Sequence, residues 1–161
     1  MDVRKAKTAD IDSINALDRE SVKYHAKFDK DYYTISEEWW NIKKDSQLKA
    51  MRSPKNSMLV ALIDDTIVGY VWGSIDILAD HKIGRIQELI VTSRYRRRGI
   101  GKTLINEMLE YFKGKNCVVC EIGVEAGNTP TIKAYENAGF SIREHKMRLK
   151  LDKKKRFRPF Y

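Results

Sequence analysis

The segment "SRYRRRGIGKTLINEML", residues 93–109, most constrains what this chain can fold into. It follows the strand-like run "RIQELIVT" and leads into a stripe of apolar residues at helical spacing. A loop that leaves a strand and enters a helix presents unpaired backbone N–H groups at the positive end of the helix dipole. Gly99 and Gly101 let an anion approach that backbone. The loop also carries counter-charge on four side chains, Arg96, Arg97, Arg98 and Lys102. The segment therefore predicts a site for a phosphate-bearing ligand.

Two familiar nucleotide motifs do not fit this loop. "GIGKT" ends like a P-loop, but that motif requires glycine five residues before Gly101, where Arg96 stands. A dinucleotide-binding G-x-G-x-x-G motif requires glycine three residues after Gly101, where Leu104 stands. Both kinds of site are excluded.

The length of 161 residues predicts one domain, residues 1–161. A chain that is 42% hydrophobic and 33% charged is typical of soluble globular proteins. No apolar run approaches the roughly 20 residues of a membrane helix, and "MDVRKAKTAD" lacks the apolar centre of a signal peptide. We therefore expect a cytoplasmic protein without membrane association.

The net charge of +9 is concentrated at the C-terminal end. Residues 143–161 carry nine Lys or Arg against two acids, so 9 minus 2 leaves +7 on this segment. Such a tail favours an acidic protein, a nucleic acid or a membrane surface as partner. A terminal strand followed by a solvated end explains the same composition. Both interpretations stay open.

Cys117 and Cys120 form a C-x-x-C pair inside the strand-like run "NCVVCEIGV". Strand residues three apart point to opposite faces, and the sequence has no second pair to complete a zinc site. We interpret both as core or strand-end residues and predict no metal.

The order of elements predicts a mixed α/β fold. A short first strand precedes two helices, with Thr8 and Ser36 as N-caps and the second helix running to about Met51. "SMLVALI" and "IVGYVWGSIDI" form a hairpin around the turn "DDT". After the basic loop come a helix ending at Gly114, the strand "CVVCEIGV", a proline-initiated helix and strand pairs in "FSIREHKMRLKLD". Strand–helix–strand connections around the loop predict a locally parallel region.

The loop pattern R-x-x-G-x-G, residues 96–101, resembles the pyrophosphate loop of the GNAT superfamily of acetyl-CoA-dependent N-acetyltransferases. "LIV" at 89–91 resembles the family's fourth strand, and "VEAGNTPTIKAYENAGF" resembles its second signature. Together these segments cover residues 85–140, and the hairpin at 58–77 resembles the preceding strands. The resemblance implies a central mixed, largely antiparallel sheet, splayed between strands 4 and 5 and flanked by about four helices.

The resemblance also implies a binding site for acetyl-CoA as cosubstrate. Its pantetheine arm would bond backbone groups of the strand at 86–92, beside the strand at 117–124, and its diphosphate would sit on N–H groups of residues 97–102. Asn128 would contact the pantetheine or diphosphate, and Tyr135 would place its hydroxyl near the thioester sulfur. The implied cosubstrate-binding residues are Leu89, Ile90, Val91, Arg96, Arg97, Arg98, Gly99, Ile100, Gly101, Lys102, Asn128 and Tyr135.

The implied reaction is direct attack of a primary amine on the thioester in a ternary complex. N–H groups freed by a strand bulge near Ile90 or Val91 would stabilise the oxyanion, and Tyr135 would assist the departing sulfur. Glu88 is the first candidate for the general base, because a partly buried carboxylate has a raised pKa; the alternative is a carboxylate on a solvated face.

Two further carboxylates, Glu121 and Glu125, are weaker candidates for the base. Gly123 stands where N-terminal and ribosomal-protein members of the family carry a glutamate, which weakens assignment to that subgroup. The fold assignment does not depend on this position.

The acceptor is open between a small-molecule amine or polyamine, a drug-like amine, and a protein lysine or N-terminus, in a monomer or a homodimer. Residues 29–40, "DKDYYTISEEWW", either recognise a cationic amine or form a helix start with core tryptophans. A basic nucleic-acid-binding module and a non-catalytic acetyl-CoA sensor are alternative functions. Tyr135 argues against the sensor.

Overall fold

The computed structural model describes residues 1–29 and 34–149, which form a mixed α/β fold. Its strands are β1 (Asp2–Lys5), β2 (Asn56–Ile63), β3 (Thr66–Leu78), β4 (His81–Val91) and β5 (Val119–Ile122). Its helices are α1 (Ile11–His25), α2 (Glu37–Arg52), α3 (Ile100–Gly114) and α4 (Thr129–Asn137). The strands lie in the order β1-β2-β3-β4-β5, with the first three pairings antiparallel and β4–β5 parallel. The predicted mixed, largely antiparallel sheet is confirmed.

The two predicted N-caps have different outcomes. Ser36 caps α2, because its hydroxyl accepts the backbone N–H of Trp39 at 3.3 Å. Thr8 does not cap α1: it begins a 3-10 turn in which the Asp10 carboxylate accepts the Lys7 N–H at 2.7 Å. This local bond organises the turn and moves the start of α1 to residue 11. No helix among the described residues combines the length and apolar character needed to span a membrane.

The sheet buries both of its faces. One face packs against α3 through a cluster of buried residues: Ala61, Val68, Val71, Ile86, Ile100, Leu104, Met108 and Phe112. The opposite face packs against α1 and α2 around a second cluster: Ile14, Leu17, Met58, Val60, Tyr70 and Ile90. Cys117 and Cys120 are free thiols packed against the first cluster, as predicted for core or strand-end residues.

β4 and β5 pair over only part of their length. The parallel pairing runs from Ile83–Val119 to Ile86–Ile122, where β5 ends. β4 continues to Val91 and leads directly into the basic loop. The predicted splay between strands 4 and 5 is therefore confirmed, and β4 has an edge beyond Ile86 that β5 does not cover.

The strand pairs predicted after residue 140 are wrong for the part that the structure describes. Residues 141–149 form no strand, and Ile142, Met147 and Leu149 are exposed. An alternating apolar pattern forms a strand only beside a partner edge, and no described strand pairs with this segment. Residues 150–161, the greater part of the basic tail, and residues 30–33 lie outside the described residues.

We expect Gly84→Ala to destabilise the fold by about 1–3 kcal/mol, because overpacking forces the core to shift. A Cβ at Gly84 would lie 2.5 Å from the Phe112 ring. Chemical denaturation measures the loss, with Gly114→Ala as control, since a Cβ there meets nothing within 4 Å. Equal free energies of unfolding for wild type and Gly84→Ala would contradict this close approach of β4 to α3.

Candidate functional site

The basic loop joins β4 to α3 through two left-handed residues. Arg97 has φ +60°, and Gly99, the N-cap of α3, has φ +81°. This path lets α3 begin at Ile100, so that the N–H groups of its first turn stand free of intrahelical partners. The strand–loop–helix geometry is one that binds anions.

One cation of the loop is bonded to the protein, and the other three are exposed to solvent. Arg96 is half-buried, and its Nε donates to the Val91 carbonyl at 3.0 Å, which ties the loop back to β4. Arg97, Arg98 and Lys102 are exposed and form no ion pair with any residue that the structure describes. Their charge is therefore available to an anion at the start of α3.

α1 braces the loop through two side chains one helical turn apart. Glu20 accepts the Ser93 N–H at 2.6 Å and the Thr92 hydroxyl at 2.7 Å. Burial works to raise the pKa of Glu20, but these donors outweigh it and lower the pKa. The Tyr24 ring lies 4.6 Å from the Arg96 guanidinium. Nothing in the sequence marks Glu20 or Tyr24 as part of the site, because polar positions on an amphipathic helix look like its solvated face.

The uncovered edge of β4 presents two residues to the gap beside β5. The Thr92 N–H donates to the Val68 carbonyl of β3 at 2.9 Å. Since backbone groups in an antiparallel pair alternate in direction, those of Ile90 also face β3, whereas those of Leu89 and Val91 face the gap. Of the three predicted backbone positions, Leu89 and Val91 are the ones directed into the gap, where the Val91 carbonyl already accepts the Nε–H of Arg96.

β4 has a bulge, but not near Ile90 or Val91 as predicted. Trp72 pairs with Glu88 and Gly73 with Ile86, so Gln87 is an extra residue in β4. Ile90 and Val91 lie in regular register with β3, which makes the predicted bulge position wrong. The bulge instead changes the direction of Glu88. Ile86 packs on the α3 face, and the extra residue turns Glu88 to the face of α1 and α2.

Glu88 lies at the end of a chain of charged and polar groups. Lys43 Nζ is 2.9 Å from Glu88 Oε1 and 3.1 Å from Asp18 Oδ1. Asp18 is fully buried and accepts hydrogen bonds from the Tyr70 hydroxyl and from Gln47 Nε2. The Glu88 side chain keeps 31% of its surface exposed. The carboxylate is thus held by Lys43 and still reaches an opening.

Opposing effects set the pKa values of this pair. Burial raises the pKa of Glu88, Lys43 lowers it in part, and Asp18 raises it, with a net increase. Burial alone would lower the pKa of Lys43, but Glu88 and Asp18 outweigh it and raise the pKa. Lys43 therefore stays charged, and Glu88 takes up protons at higher pH than an exposed glutamate.

Tyr135 is a half-buried residue of α4 whose ring lies 5.9 Å from that of Phe140. Burial, and then the negative charge of Glu88, raise the pKa of Tyr135 to about 12. The phenol therefore remains a neutral hydrogen-bond donor at ordinary pH. Glu88 thus acts on Tyr135 through its charge.

Asn128, Glu121 and Glu125 each interact with other residues. Asn128 is 2% exposed, and its Oδ1 accepts the Tyr24 hydroxyl at 3.3 Å, so it joins α1 to the start of α4. Its contact with a cosubstrate stays a prediction. Glu121 pairs with Arg85 at 3.3 Å on the surface. Glu125 acts on the pKa of His25. Neither carboxylate matches the position of Glu88 between Lys43 and an opening.

A pocket of about 290 Å³ opens beside Glu88. Its lining consists of Trp39, Ile42, Lys43, Ser46, Trp72 and Glu88. The two tryptophans of the "EEWW" segment therefore have different places: Trp40 is buried, and Trp39 is 40% exposed on the pocket wall. The core interpretation of this segment holds for Trp40 alone.

A family model for the acetyltransferase (GNAT) family matches residues 14–140. An uncharacterized N-acetyltransferase of Archaeoglobus fulgidus is 31% identical over 140 residues, which cover 80% of this chain and 84% of that protein. Against several other curated relatives, the matched region spans only 30% to 54% of their length.

Two solved structures extend the comparison to the fold. A mutant protein of Bacillus halodurans superposes with a TM-score of 0.84 at 22% identity, over 94% of this chain and 99% of that one. An aminoglycoside N-acetyltransferase in complex with CoA gives a TM-score of 0.70 at 15% identity, over 94% and 99%. At these identities the likeness concerns the fold, whereas the family model matches the sequence itself. The chain belongs to the GNAT family of acetyltransferases.

Proposed function

We propose that this protein is an N-acetyltransferase that moves the acetyl group of acetyl-CoA to a primary amine by direct attack in a ternary complex. The observation that carries the proposal is the continuity of three features along β4. The Glu88 carboxylate, the uncovered edge at Leu89 and Val91, and the cationic start of α3 follow one another within about one strand length. A thioester at one end of a long arm and a diphosphate at the other fit this spacing.

The residues present suit acetyl-CoA. The free N–H groups at the start of α3, with Arg97, Arg98 and Lys102, would hold the diphosphate. The outward N–H and carbonyl of Leu89 and the N–H of Val91 would bond the pantetheine arm as an added strand does. That a structural neighbour is an aminoglycoside N-acetyltransferase in complex with CoA supports the same cosubstrate.

A neutral amine attacks the thioester of acetyl-CoA, coenzyme A leaves as a thiolate, and the nitrogen loses its remaining extra proton to solvent as the amide forms. An alkyl ammonium with a pKa of about 10.4 must first lose a proton. Glu88 accepts it, since its carboxylate faces the pocket and its raised pKa suits a base. The Leu89 or Val91 N–H stabilises the developing oxyanion from the gap. Tyr135 donates a hydrogen bond to the departing sulfur.

Calorimetric titration with acetyl-CoA tests the proposal, followed by a thiol-release assay with a panel of primary amines. Micromolar binding of acetyl-CoA, with no binding of ATP, NAD or a short DNA duplex in the same salt, is the expected result. Salt-sensitive binding of DNA without binding of acetyl-CoA would overturn the proposal in favour of a nucleic-acid module.

Glu88→Gln is expected to lower the rate by about 10²-fold at neutral pH, the usual contribution of a general base. At pH values near the pKa of the amine the loss shrinks, because free amine is then abundant. The wild-type rate falls as pH drops through the raised pKa of Glu88, because only the ionised form accepts a proton.

Rate profiles against pH for both proteins measure this difference. Glu121→Gln is the matched control, because Glu121 pairs with Arg85 on the surface and should leave the profile unchanged. A loss in Glu88→Gln that is equal at every pH would assign Glu88 a structural role instead.

A further inference from the structure

The floor of the pocket beside Glu88 is a cation fixed by the protein itself. Lys43 Nζ lies between Glu88 Oε1 and Asp18 Oδ1, at 2.9 and 3.1 Å, and 5.5 Å from the centre of the Trp39 ring. Its side chain is only 12% exposed. Three sets of contacts thus hold one ammonium group at the place where an acceptor amine must meet Glu88.

The charges of this cluster do not balance. The cluster contains two carboxylates, those of Asp18 and Glu88, and one ammonium, that of Lys43. Tyr70 adds no charge, because burial and the two carboxylates raise its pKa well above the usual value. A buried excess charge is costly. One further ammonium beside Glu88 brings the net charge of the cluster to zero, so the pocket favours a ligand that carries one positive charge.

The walls above this floor are mainly apolar, with Ser46 as the one further polar residue of the lining that the structure describes. Trp39 and Ile42 lie along α2, and Trp72 faces them from β3. Trp72 is fixed in place, because its indole N–H donates to Asn56 Oδ1 at 2.9 Å. Glu88 is the one carboxylate among the described lining residues. A second ammonium on the acceptor would therefore find no second carboxylate in the described part of this lining, close to the charge of Lys43.

We propose that Lys43 is the specificity-determining residue of the acceptor site, and that the site selects a primary monoamine on an apolar body over amines with a second nearby cation. This inference rests on the proposed N-acetyltransferase function. Lys43 neutralises one of the two carboxylates, and the tryptophan walls hold the apolar body. A free alkylamine and a peptide N-terminus with an apolar first residue share this chemistry.

The test compares pentylamine with 1,4-diaminobutane, which have the same length and differ by a methyl group in place of the second ammonium. We expect kcat/KM for pentylamine to exceed that for the diamine by at least about tenfold, a difference of about 1.4 kcal/mol. Tripeptide amides that begin with leucine or lysine provide the same comparison for a peptide N-terminus. If the alkylamines have the higher kcat/KM, the acceptor is a free amine; if the tripeptide amides have the higher kcat/KM, it is a peptide N-terminus.

Lys43→Met is expected to lower the pentylamine-to-diamine ratio about tenfold, because the second ammonium then replaces the missing cation. Lys44→Met is the matched control: Lys44 pairs with the exposed Asp12 on the neighbouring helix, and its loss should leave the ratio unchanged. A ratio within one variant does not depend on the amount of active protein, so partial unfolding does not imitate the effect.

A diamine that is used as well as pentylamine by the wild type would overturn the inference, as would a ratio unchanged in Lys43→Met. Tryptophan fluorescence titration of the two amines, which reports on Trp39 and Trp72, applies the same criterion to binding alone. Failure of the proposed function and failure of this inference therefore give different results. Absent acetyl-CoA binding in the calorimetric titration counts against the proposed function, whereas a preference for the diamine counts against the role of Lys43.

Discussion

Gly99→Glu is expected to weaken acetyl-CoA binding by at least about 100-fold, the equivalent of losing two charge-assisted hydrogen bonds. Gly99 is the N-cap of α3, and a Cβ added there meets nothing within 4 Å. The new side chain therefore fits the protein and projects into the space in front of the helix. Its carboxylate would occupy the N–H groups that the diphosphate needs and would repel the diphosphate itself.

The substitution also strains the backbone, because φ is +81° at Gly99 and a left-handed residue other than glycine costs about 1–2 kcal/mol. Gly139→Glu is the matched control: φ is +95°, and a Cβ there also meets nothing within 4 Å. It adds the same charge and a similar strain at the end of α4. Calorimetry on both variants, with thermal unfolding in parallel, separates binding from stability. Equal affinity of Gly99→Glu and wild type would remove the loop from the coenzyme site.

The parts of the fold that were predictable are encoded locally. A strand, a turn that contains glycine and an apolar stripe at helical spacing lie within residues 85–114, and each has its own short-range signal. The hairpin of β2 and β3 and the end of α3 at Gly114 follow from equally local patterns. These local signals therefore predicted the loop and the parallel pairing that flanks it, whereas the splay of the sheet was implied by the resemblance to the family.

The candidate site itself depends on contacts between distant residues. Glu88 could be named from the sequence, but Lys43, 45 residues away, and Asp18 look like ordinary polar positions of amphipathic helices. The bulge at Gln87 decides which face Glu88 serves, and nothing in "RIQELIVT" marks it. Only the packing of α1 and α2 on the sheet brings these three residues together.

Two local patterns misled the sequence analysis for opposite reasons. Thr8 is a good N-cap residue, but the Asp10 carboxylate accepts the Lys7 N–H and holds a 3-10 turn at this position. The alternating segment after Phe140 has strand-like composition, but a strand requires a partner edge that local sequence does not reveal. In one case a competing partner and in the other the lack of a partner among the described strands, rather than the propensity of the residues, determined the outcome.

Tyr135→Phe is expected to lower kcat by about 10- to 100-fold while the Kd for acetyl-CoA stays within about twofold, because a hydrogen bond to a charged group contributes about 1.5–3 kcal/mol. The pKa of Tyr135 is raised to about 12, whereas a thiol has a pKa near 8.5. Complete proton transfer from this phenol to a thiolate is therefore uphill. In the proposed mechanism Tyr135 donates a hydrogen bond as negative charge develops on sulfur, an interaction that strengthens toward the transition state.

Single-turnover kinetics and calorimetry on Tyr135→Phe measure the two quantities separately, with Tyr111→Phe as the matched control. Tyr111 is a partly buried tyrosine of α3 with a weak bond to the Pro54 carbonyl at 3.5 Å, and its loss should alter neither quantity. An unchanged kcat in Tyr135→Phe would exclude this hydroxyl from the reaction. An increase in Kd with kcat unchanged would mean that the hydroxyl binds the ground state as strongly as the transition state, which a neutral, half-buried phenol facing a neutral thioester does not predict.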